Sequence, residues 1–363
     1  MGSVRDSNER LSGLEPYDPK YLPAQVMLSA NESPFDIAPE TRERVEARLG
    51  ELAFNRYPDP LANGLRDAIA ASCGLERGNV LVGNGGDELL FDVFLAYGGP
   101  GRTFINLPPT FSVYAYNAHL TGTGIVDIPR LDDFSVDIDA VAARLSEGDV
   151  DLVVLTSPNN PTGNLISEVG CRRLLEASDA LILLDEAYIE FADASLVSLL
   201  AEHENLLILR TFSKAFSLAG VRVGYLLGSR KVIDEFTKVR QPYSVDAVSQ
   251  LIASCVLEDR DTVVHERVAG TVARREELFR RLQDMEGVEV WPSAANFLLI
   301  RVANAHGVWQ ELYEGHSVLV RDFSSSAGLS DCLRVTVGTE EENAAFLSAL
   351  EKVLGTQAVR PSG

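Results

Sequence analysis

Ala180-Leu181-Ile182-Leu183-Leu184-Asp185-Glu186-Ala187-Tyr188 is the stretch on which the reading of the fold turns. Its apolar residues neither alternate with polar ones nor recur at helical spacing, and the run ends on a carboxylate. A run of that kind fits a strand covered on both faces, as strands inside a parallel sheet are. Similar runs stand at 104–108 (FINLP), 151–157 (DLVVLTS), 205–211 (NLLILRT) and 223–228 (VGYLLG), with polar, Gly or Pro residues at their ends. Short buried strands separated by helical segments predict an α/β fold, with a mostly parallel central sheet flanked by helices.

Working outward, residues 1–14 read as a mobile arm, and apolar spacing predicts helices at 40–49 and 61–71, separated by the turn Tyr57-Pro58-Asp59-Pro60. Beyond Ser244 the pattern turns to a long helical run at 247–285. Strand-like VEVW and NFLLIRV follow, then CLRVTV at 332–337 and a terminal helix at 340–354. With 363 residues the chain exceeds what one core usually serves, so a smaller α+β domain is expected beside the large one. The expected division is an N-terminal arm at 1–30, a large domain at 50–245, and a small domain formed by 31–49 with 246–363.

A net charge of −21 makes a nucleic-acid partner unexpected, because binding to phosphate backbones needs clustered Lys and Arg. Cys73, Cys171, Cys255 and Cys332 are far apart and lack the spacing of a zinc site, so no metal is expected. The start MGSVRDSNERLSG has no apolar signal core, and no stretch reaches the ~20 apolar residues of a membrane span. A cytoplasmic protein acting on small molecules is the expectation.

Open parallel sheets bind ligands beyond the carboxyl ends of their strands, so the residues that end the apolar runs are the candidates. Asp185 is either a helix N-cap or a carboxylate paired with a cationic ring nitrogen. Lys214, in Thr211-Phe212-Ser213-Lys214-Ala215-Phe216, is either a solvated surface lysine or an imine-forming amine beside a bound phosphate. Flanking hydroxyls on Thr211 and Ser213, with Arg222 eight residues on, favour the second reading as phosphate donors. Val82-Gly83-Asn84-Gly85-Gly86-Asp87-Glu88 is a glycine-rich turn opening a helix, which suits an anion. Asn160, in the turn Pro158-Asn159-Asn160-Pro161, could hydrogen-bond a phenolate oxygen. Arg334 sits within an otherwise apolar strand, where an unpaired charge would be costly.

Taken together, SPNNPTG, LLDEAY, TFSKAFSLAGVRVG and CLRVTVG resemble, in order and spacing, the fold-type I, class I/II pyridoxal-phosphate aminotransferases. PYDP, LSANESPFD, YPDP, GNGGDE, PPTFSVY, ANFLLIR and VLVRDFS extend the likeness over nearly the whole chain, and it is strongest to the histidinol-phosphate aminotransferase family. The resemblance implies pyridoxal 5'-phosphate as cofactor, Lys214 as Schiff-base lysine and proton shuttle, and Asp185 on the pyridine nitrogen. It further implies Tyr188 and Asn160 on the ring oxygen O3', and Tyr114 stacked on the ring. The phosphate would be held by the N–H groups of Gly86 and Asp87 with Thr211, Ser213 and Arg222, and by Tyr57 from the partner of a homodimer with shared sites. Arg334 would clamp the substrate α-carboxylate, Arg321 the distal phosphate of histidinol phosphate or the side-chain carboxylate of glutamate, and Tyr17 and Asn31 would line the same pocket.

The reaction implied is reversible transfer of the amino group from L-histidinol phosphate to 2-oxoglutarate, a step of histidine biosynthesis giving imidazole acetol phosphate and L-glutamate. An aromatic amino-acid aminotransferase and a threonine-phosphate decarboxylase would keep the same cofactor residues and differ in the pocket. A non-catalytic ligand-sensing module of this fold would carry a basic DNA-binding domain in front, which the first 15 residues cannot form.

Overall fold

A computed structural model describes residues 5–6, 8–11, 14, 22–192 and 194–359. The chain runs through a short strand β1 (Val26–Leu28) and then through β2 (Val80–Gly83), β3 (Thr103–Asn106), β4 (Gly124–Asp127), β5 (Leu152–Thr156), β6 (Leu181–Asp185), β7 (Leu206–Thr211) and β8 (Gly224–Gly228). Four more strands follow: β9 (Val288–Val290), β10 (Phe297–Val302), β11 (Val318–Asp322) and β12 (Cys332–Thr336). They form a seven-stranded sheet ordered β2-β8-β7-β6-β5-β3-β4 and a five-stranded sheet ordered β1-β11-β12-β10-β9. In the larger sheet β8 alone runs against its neighbours.

The non-alternating apolar runs have a direct cause. Leu152, Val154, Leu181, Leu183, Leu207 and Leu209 enter one core, on one face of the large sheet. Val153, Leu155, Ile182, Leu184 and Ile208 enter another, on the opposite face. Side chains alternate between faces, and because helices cover both, every position is apolar. Each fully buried Leu or Ile contributes on the order of 1.5–3 kcal/mol, which commits these strands to the sheet interior.

The smaller sheet is mixed, with β1 parallel to β11 and the remaining pairs antiparallel. Leu298, Ile300, Val318, Val320, Leu333 and Val335 form its core together with Leu312, Phe346 and Leu350 from the helices Ala305–His316 and Glu340–Val359. Among the described residues no helix is long and apolar enough to cross a membrane.

Several details depart from the expectation. Val26–Leu28, within the stretch read as an arm, is an edge strand of the smaller sheet. Ala253, Val256 and Leu257, assigned to the small domain, pack in a core of the large sheet. The single helical run at 247–285 divides into helices Ala247–Leu257 and His265–Gln283 around a π-helical turn at Arg260–Val264. Just before that turn, the Asp259 carboxylate is gripped by Thr41 and Arg44 of the helix Pro39–Leu49. β2 and β4, absent from the expected strands, are the two edges of the large sheet, where a four-residue strand carries little periodic signal.

Strands β5, β6 and β7 are parallel and in register, so Thr156 lies opposite Asp185, and Asp185 opposite Leu209. The ends of three apolar runs therefore meet at one rim. One residue further, Glu186 is fully buried and accepts hydrogen bonds from Arg210 Nε (2.9 Å) and Nη2 (2.8 Å), from Ser195 Oγ and from the Leu196 backbone N–H. Removing one partner of such a pair strands a buried charge at a cost of about 3–5 kcal/mol. Arg210→Met is accordingly expected to lower the unfolding free energy by about that amount in urea titration, and Arg210→Met/Glu186→Leu to recover most of it. An Arg210→Met protein as stable as the parent would contradict this assignment.

Candidate active site

Asp185 ends β6 and is buried, accepting a hydrogen bond from the Tyr114 hydroxyl at 2.7 Å and one from the Ala187 N–H at 3.0 Å. Tyr114 has one proton and gives it to Asp185, so the 2.9 Å contact between Tyr114 and Thr156 is a bond donated by Thr156. Both of these donors to Asp185 are neutral. Burial raises its pKa to about 6, against the lowering effect of those hydrogen bonds. A cationic N–H placed at this carboxylate would relieve that penalty.

Lys214 lies beyond the end of β7 with its Nζ 3.0 Å from the Ala30 carbonyl oxygen and 5.9 Å from the Tyr188 ring centre. Burial, followed by the positive charge of Arg334, lowers its pKa to about 8. A larger share of the amine is thus neutral and nucleophilic near neutral pH than in an ordinary lysine. Tyr188 is buried edge-on against Phe297, with ring centres 5.1 Å apart, and its hydroxyl accepts a hydrogen bond from Asn31 Nδ2 at 2.9 Å.

Arg334 projects from β12 and joins the two sheets. Its Nη1 donates to Asn160 Oδ1 at 2.5 Å and its Nη2 to the Ser29 carbonyl at 2.6 Å, while the rings of Phe297 and Phe323 lie 5.3 and 5.5 Å from the guanidinium carbon. Arg321, on β11, stands directly opposite Arg334 in the antiparallel register, so both project from the same face. Like charges placed opposite one another across a sheet repel. An anion, or a molecule with an anion at each end, converts that repulsion into binding.

A second group of donors stands at the start of the helix Gly85–Tyr97, whose N-cap residue Asn84 makes no side-chain cap hydrogen bond. A Cβ on Gly85 would come within 2.6 Å of the Arg222 guanidinium, and one on Gly224 within 2.8–2.9 Å of the Gly85 and Gly86 backbone. The turn, β8 and Arg222 thus pack too closely for side chains at these glycines. Arg222 reaches Ser213 Oγ at 3.4 Å and the exposed Asp87 carboxylate at 3.0 Å, and the Thr211 hydroxyl donates to Ser213 at 3.0 Å. Helix-start N–H groups, hydroxyls and a guanidinium make a donor set suited to phosphate.

The structure therefore gathers Gly86, Asp87, Thr211, Ser213, Lys214 and Arg222 in one region, and Asp185, Tyr188, Asn160 and Arg334 in the adjoining one. Two assignments require correction. Tyr114 is fully buried beneath Asp185 and offers no open ring face for stacking, so it orients the carboxylate instead. Phe111 is the neighbouring aromatic that is only partly buried, edge-to-face on Tyr114 at 5.6 Å, and the sequence reading passed over it. Asn31 does not line a substrate pocket. It is 1% exposed, with its amide engaged by Tyr188 and Thr336 and its carbonyl by Asn296. Thr156 and Thr336 were not read from the sequence either, since a lone threonine within an apolar strand carries no local signal. Tyr57 is 81% exposed and stacks on Tyr243 at 4.6 Å, on the surface of this chain. Tyr17 lies outside the described residues.

Residues 23–350 match the family model for aminotransferases of class I and II. Histidinol-phosphate aminotransferase 1 of Carboxydothermus hydrogenoformans is 38% identical over 355 residues, covering 98% of this chain and 100% of that protein. The histidinol-phosphate aminotransferase of Thermococcus gammatolerans is also 38% identical, over 97% of this chain and 98% of its own length. Among solved structures, histidinol-phosphate aminotransferase from Sinorhizobium meliloti in complex with pyridoxal-5'-phosphate superposes with a TM-score of 0.89 at 25% identity, covering 98% of this chain and all of that one. The chain belongs to the class I and II aminotransferase family.

Proposed function

We propose that this chain uses pyridoxal 5'-phosphate to move the amino group of L-histidinol phosphate reversibly to 2-oxoglutarate, a step of histidine biosynthesis in the cytoplasm. The observation that carries this reading is the cross-strand pair Arg321 and Arg334, two guanidiniums on one face of the small sheet. Histidinol phosphate has a phosphate at one end and no carboxylate, whereas glutamate has carboxylates at both ends, so a site taking both in turn needs cationic groups for either end. Relatives bearing that activity in their names align along nearly the whole chain.

The residues fit the cofactor. The cradle of Gly86, Asp87, Thr211, Ser213 and Arg222 has the donors a phosphate needs, and its glycines allow close backbone approach. Asp185 is a buried carboxylate whose hydrogen-bond donors among the described residues, the Tyr114 hydroxyl and the Ala187 N–H, are neutral, which suits it to a protonated ring nitrogen. When bound, pyridoxal phosphate supplies a protonated ring into which the charge left at Cα can spread.

The neutral Lys214 amine would hold the cofactor through its aldehyde carbon, with loss of water, and would be the base placed to take the proton from the substrate Cα. Asp185, held by Tyr114, would keep the ring nitrogen protonated. Tyr188 and Asn160 would orient the ring oxygen, Phe111 would cover a ring face, and Arg334 would take the α-carboxylate of the amino-acid substrate. Arg321 holds the distal phosphate or carboxylate. The exposed Tyr57 reaches the phosphate site of a second copy in a homodimer.

Two outcomes are expected. Lys214 is protonated below about pH 8 and neutral above it, so capture of pyridoxal phosphate by the apoprotein should quicken about tenfold per pH unit below that value and level off above it. Stopped-flow absorbance measures this, and a rate still climbing at the ordinary lysine pKa would contradict the assignment. Arg321→Ala should raise the KM for histidinol phosphate by about 10- to 100-fold, the worth of a hydrogen bond to a charged group, while the absorbance of the resting cofactor is unchanged. An equal loss of cofactor would move Arg321 out of the substrate site, and an unchanged KM would remove the phosphate-binding role.

A further inference from the structure

We infer that Thr336 is a positioning residue that, through Asn31, sets the direction in which the Tyr188 hydroxyl donates its proton. The inference rests on the pyridoxal-phosphate reading above and adds residues to it. Its basis is a chain of hydrogen bonds that links Thr336 through the Asn31 amide to the Tyr188 hydroxyl.

The chain begins at a group with no ambiguity. The backbone N–H of Asn31 can only donate, and it donates to Thr336 Oγ1 at 3.0 Å. Thr336 Oγ1 lies 3.2 Å from Asn31 Oδ1, and an amide oxygen can only accept, so the threonine proton goes there. The Asn31 amide is oriented with its oxygen on the threonine, an orientation assigned from the network around it. Nδ2 is thereby turned to Tyr188, where it donates to the phenol oxygen at 2.9 Å. A phenol that receives a proton from Asn31 directs its own proton to a different acceptor, and in the proposed site that acceptor is the anionic ring oxygen of the cofactor.

Burial gives the arrangement its force. Asn31 is 1% exposed and Thr336 2%, so water cannot readily substitute for either partner, and a mis-turned amide would leave a buried group unsatisfied. Asn31 is further held by Asn296 Nδ2, which donates to its carbonyl oxygen at 3.0 Å, and its backbone adopts the left-handed region at φ 55°. Thr336 stands two residues beyond Arg334 on β12, on the same face of that strand. The strand proposed to clamp the carboxylate therefore also carries the hydroxyl that orients the phenol.

The chemistry at stake is the proton held between the Lys214 nitrogen and the ring oxygen. Donation from Tyr188 stabilises the oxygen as an anion and so lowers the pH at which the bound chromophore loses its proton. Without the Thr336 hydroxyl the Asn31 amide is free to turn its oxygen towards Tyr188 and accept the phenol proton itself, and that stabilisation is lost.

The test is a spectrophotometric pH titration of the cofactor-loaded protein, with thermal melts of the apoproteins alongside. Thr336→Val, nearly the same in shape, is expected to raise the midpoint of the visible band by about one pH unit, and Thr336→Ser, which keeps the hydroxyl, to restore the parental midpoint. Thr336→Ala serves in place of the valine variant should the latter fail to fold, with the same expected rise. Unchanged midpoints in the variants lacking the hydroxyl would overturn the inference, as would a serine variant displaced as far as valine. Parental protein that forms no visible band with pyridoxal phosphate would overturn the cofactor reading and this inference with it, whereas a normal parental band with unmoved variants would overturn this inference alone.

Discussion

The guanidinium of Arg334 is a cation buried between two sheets, and the site depends on how it is satisfied. A charge in that position requires hydrogen-bond partners or stacking faces, or its desolvation becomes prohibitive. Asn160, from the turn after β5, and the Ser29 carbonyl, just past β1, accept from it, while Phe297 and Phe323 cover it. Because these partners come from both sheets, the cation ties the smaller sheet to the rim of the larger one. Ala30, Asn31, Tyr188 and Lys214 come together along that junction.

The two carboxylates that follow one another in LLDEAY show how strand geometry separates roles. Asp185 faces the rim, where Tyr114 and Ala187 supply neutral donors and burial leaves the group needing a cation. Glu186 is matched by Arg210 and the Ser195–Leu196 turn, and its charge is spent on the fold. The same residue chemistry is available for catalysis in one place and consumed in the other. Electrostatics then couples the rest: Arg334 helps to lower the Lys214 pKa, so the group proposed to clamp substrate would also prime the proposed nucleophile.

Much of this was legible in the chain, and the limits are physical. Buried strands of a two-faced sheet leave apolar runs that need no partner to be recognised, and residues at their ends, such as Asp185 and Lys214, inherit a position from the topology alone. Gly85, Gly86 and Arg222 were legible for a similar reason, as a turn and a guanidinium suited to the same anion. Tyr114 was misassigned because the choice between it and Phe111 depends on the rotational phase at the start of the helix Val113–Thr121, which local spacing does not determine. Asn31 and Thr336 are 305 residues apart, and their hydrogen bonds exist only once β12 docks beside the chain leaving β1. Edge strands β1, β2 and β4 were missed; their three or four residues display no period, although runs as short were read at β3 and β9.

The central claim is that the paired arginines and the Lys214 site act together on a phosphorylated amine. It is tested most directly by mixing the pyridoxal-phosphate-loaded protein with L-histidinol phosphate in the absence of any keto acid and following the absorbance spectrum. The account predicts loss of the visible band and appearance of the pyridoxamine-phosphate spectrum, reversed on adding 2-oxoglutarate back to the product complex after the first keto product is removed. A spectrum left unchanged by histidinol phosphate but converted by phenylalanine, or release of carbon dioxide from threonine phosphate, would contradict it.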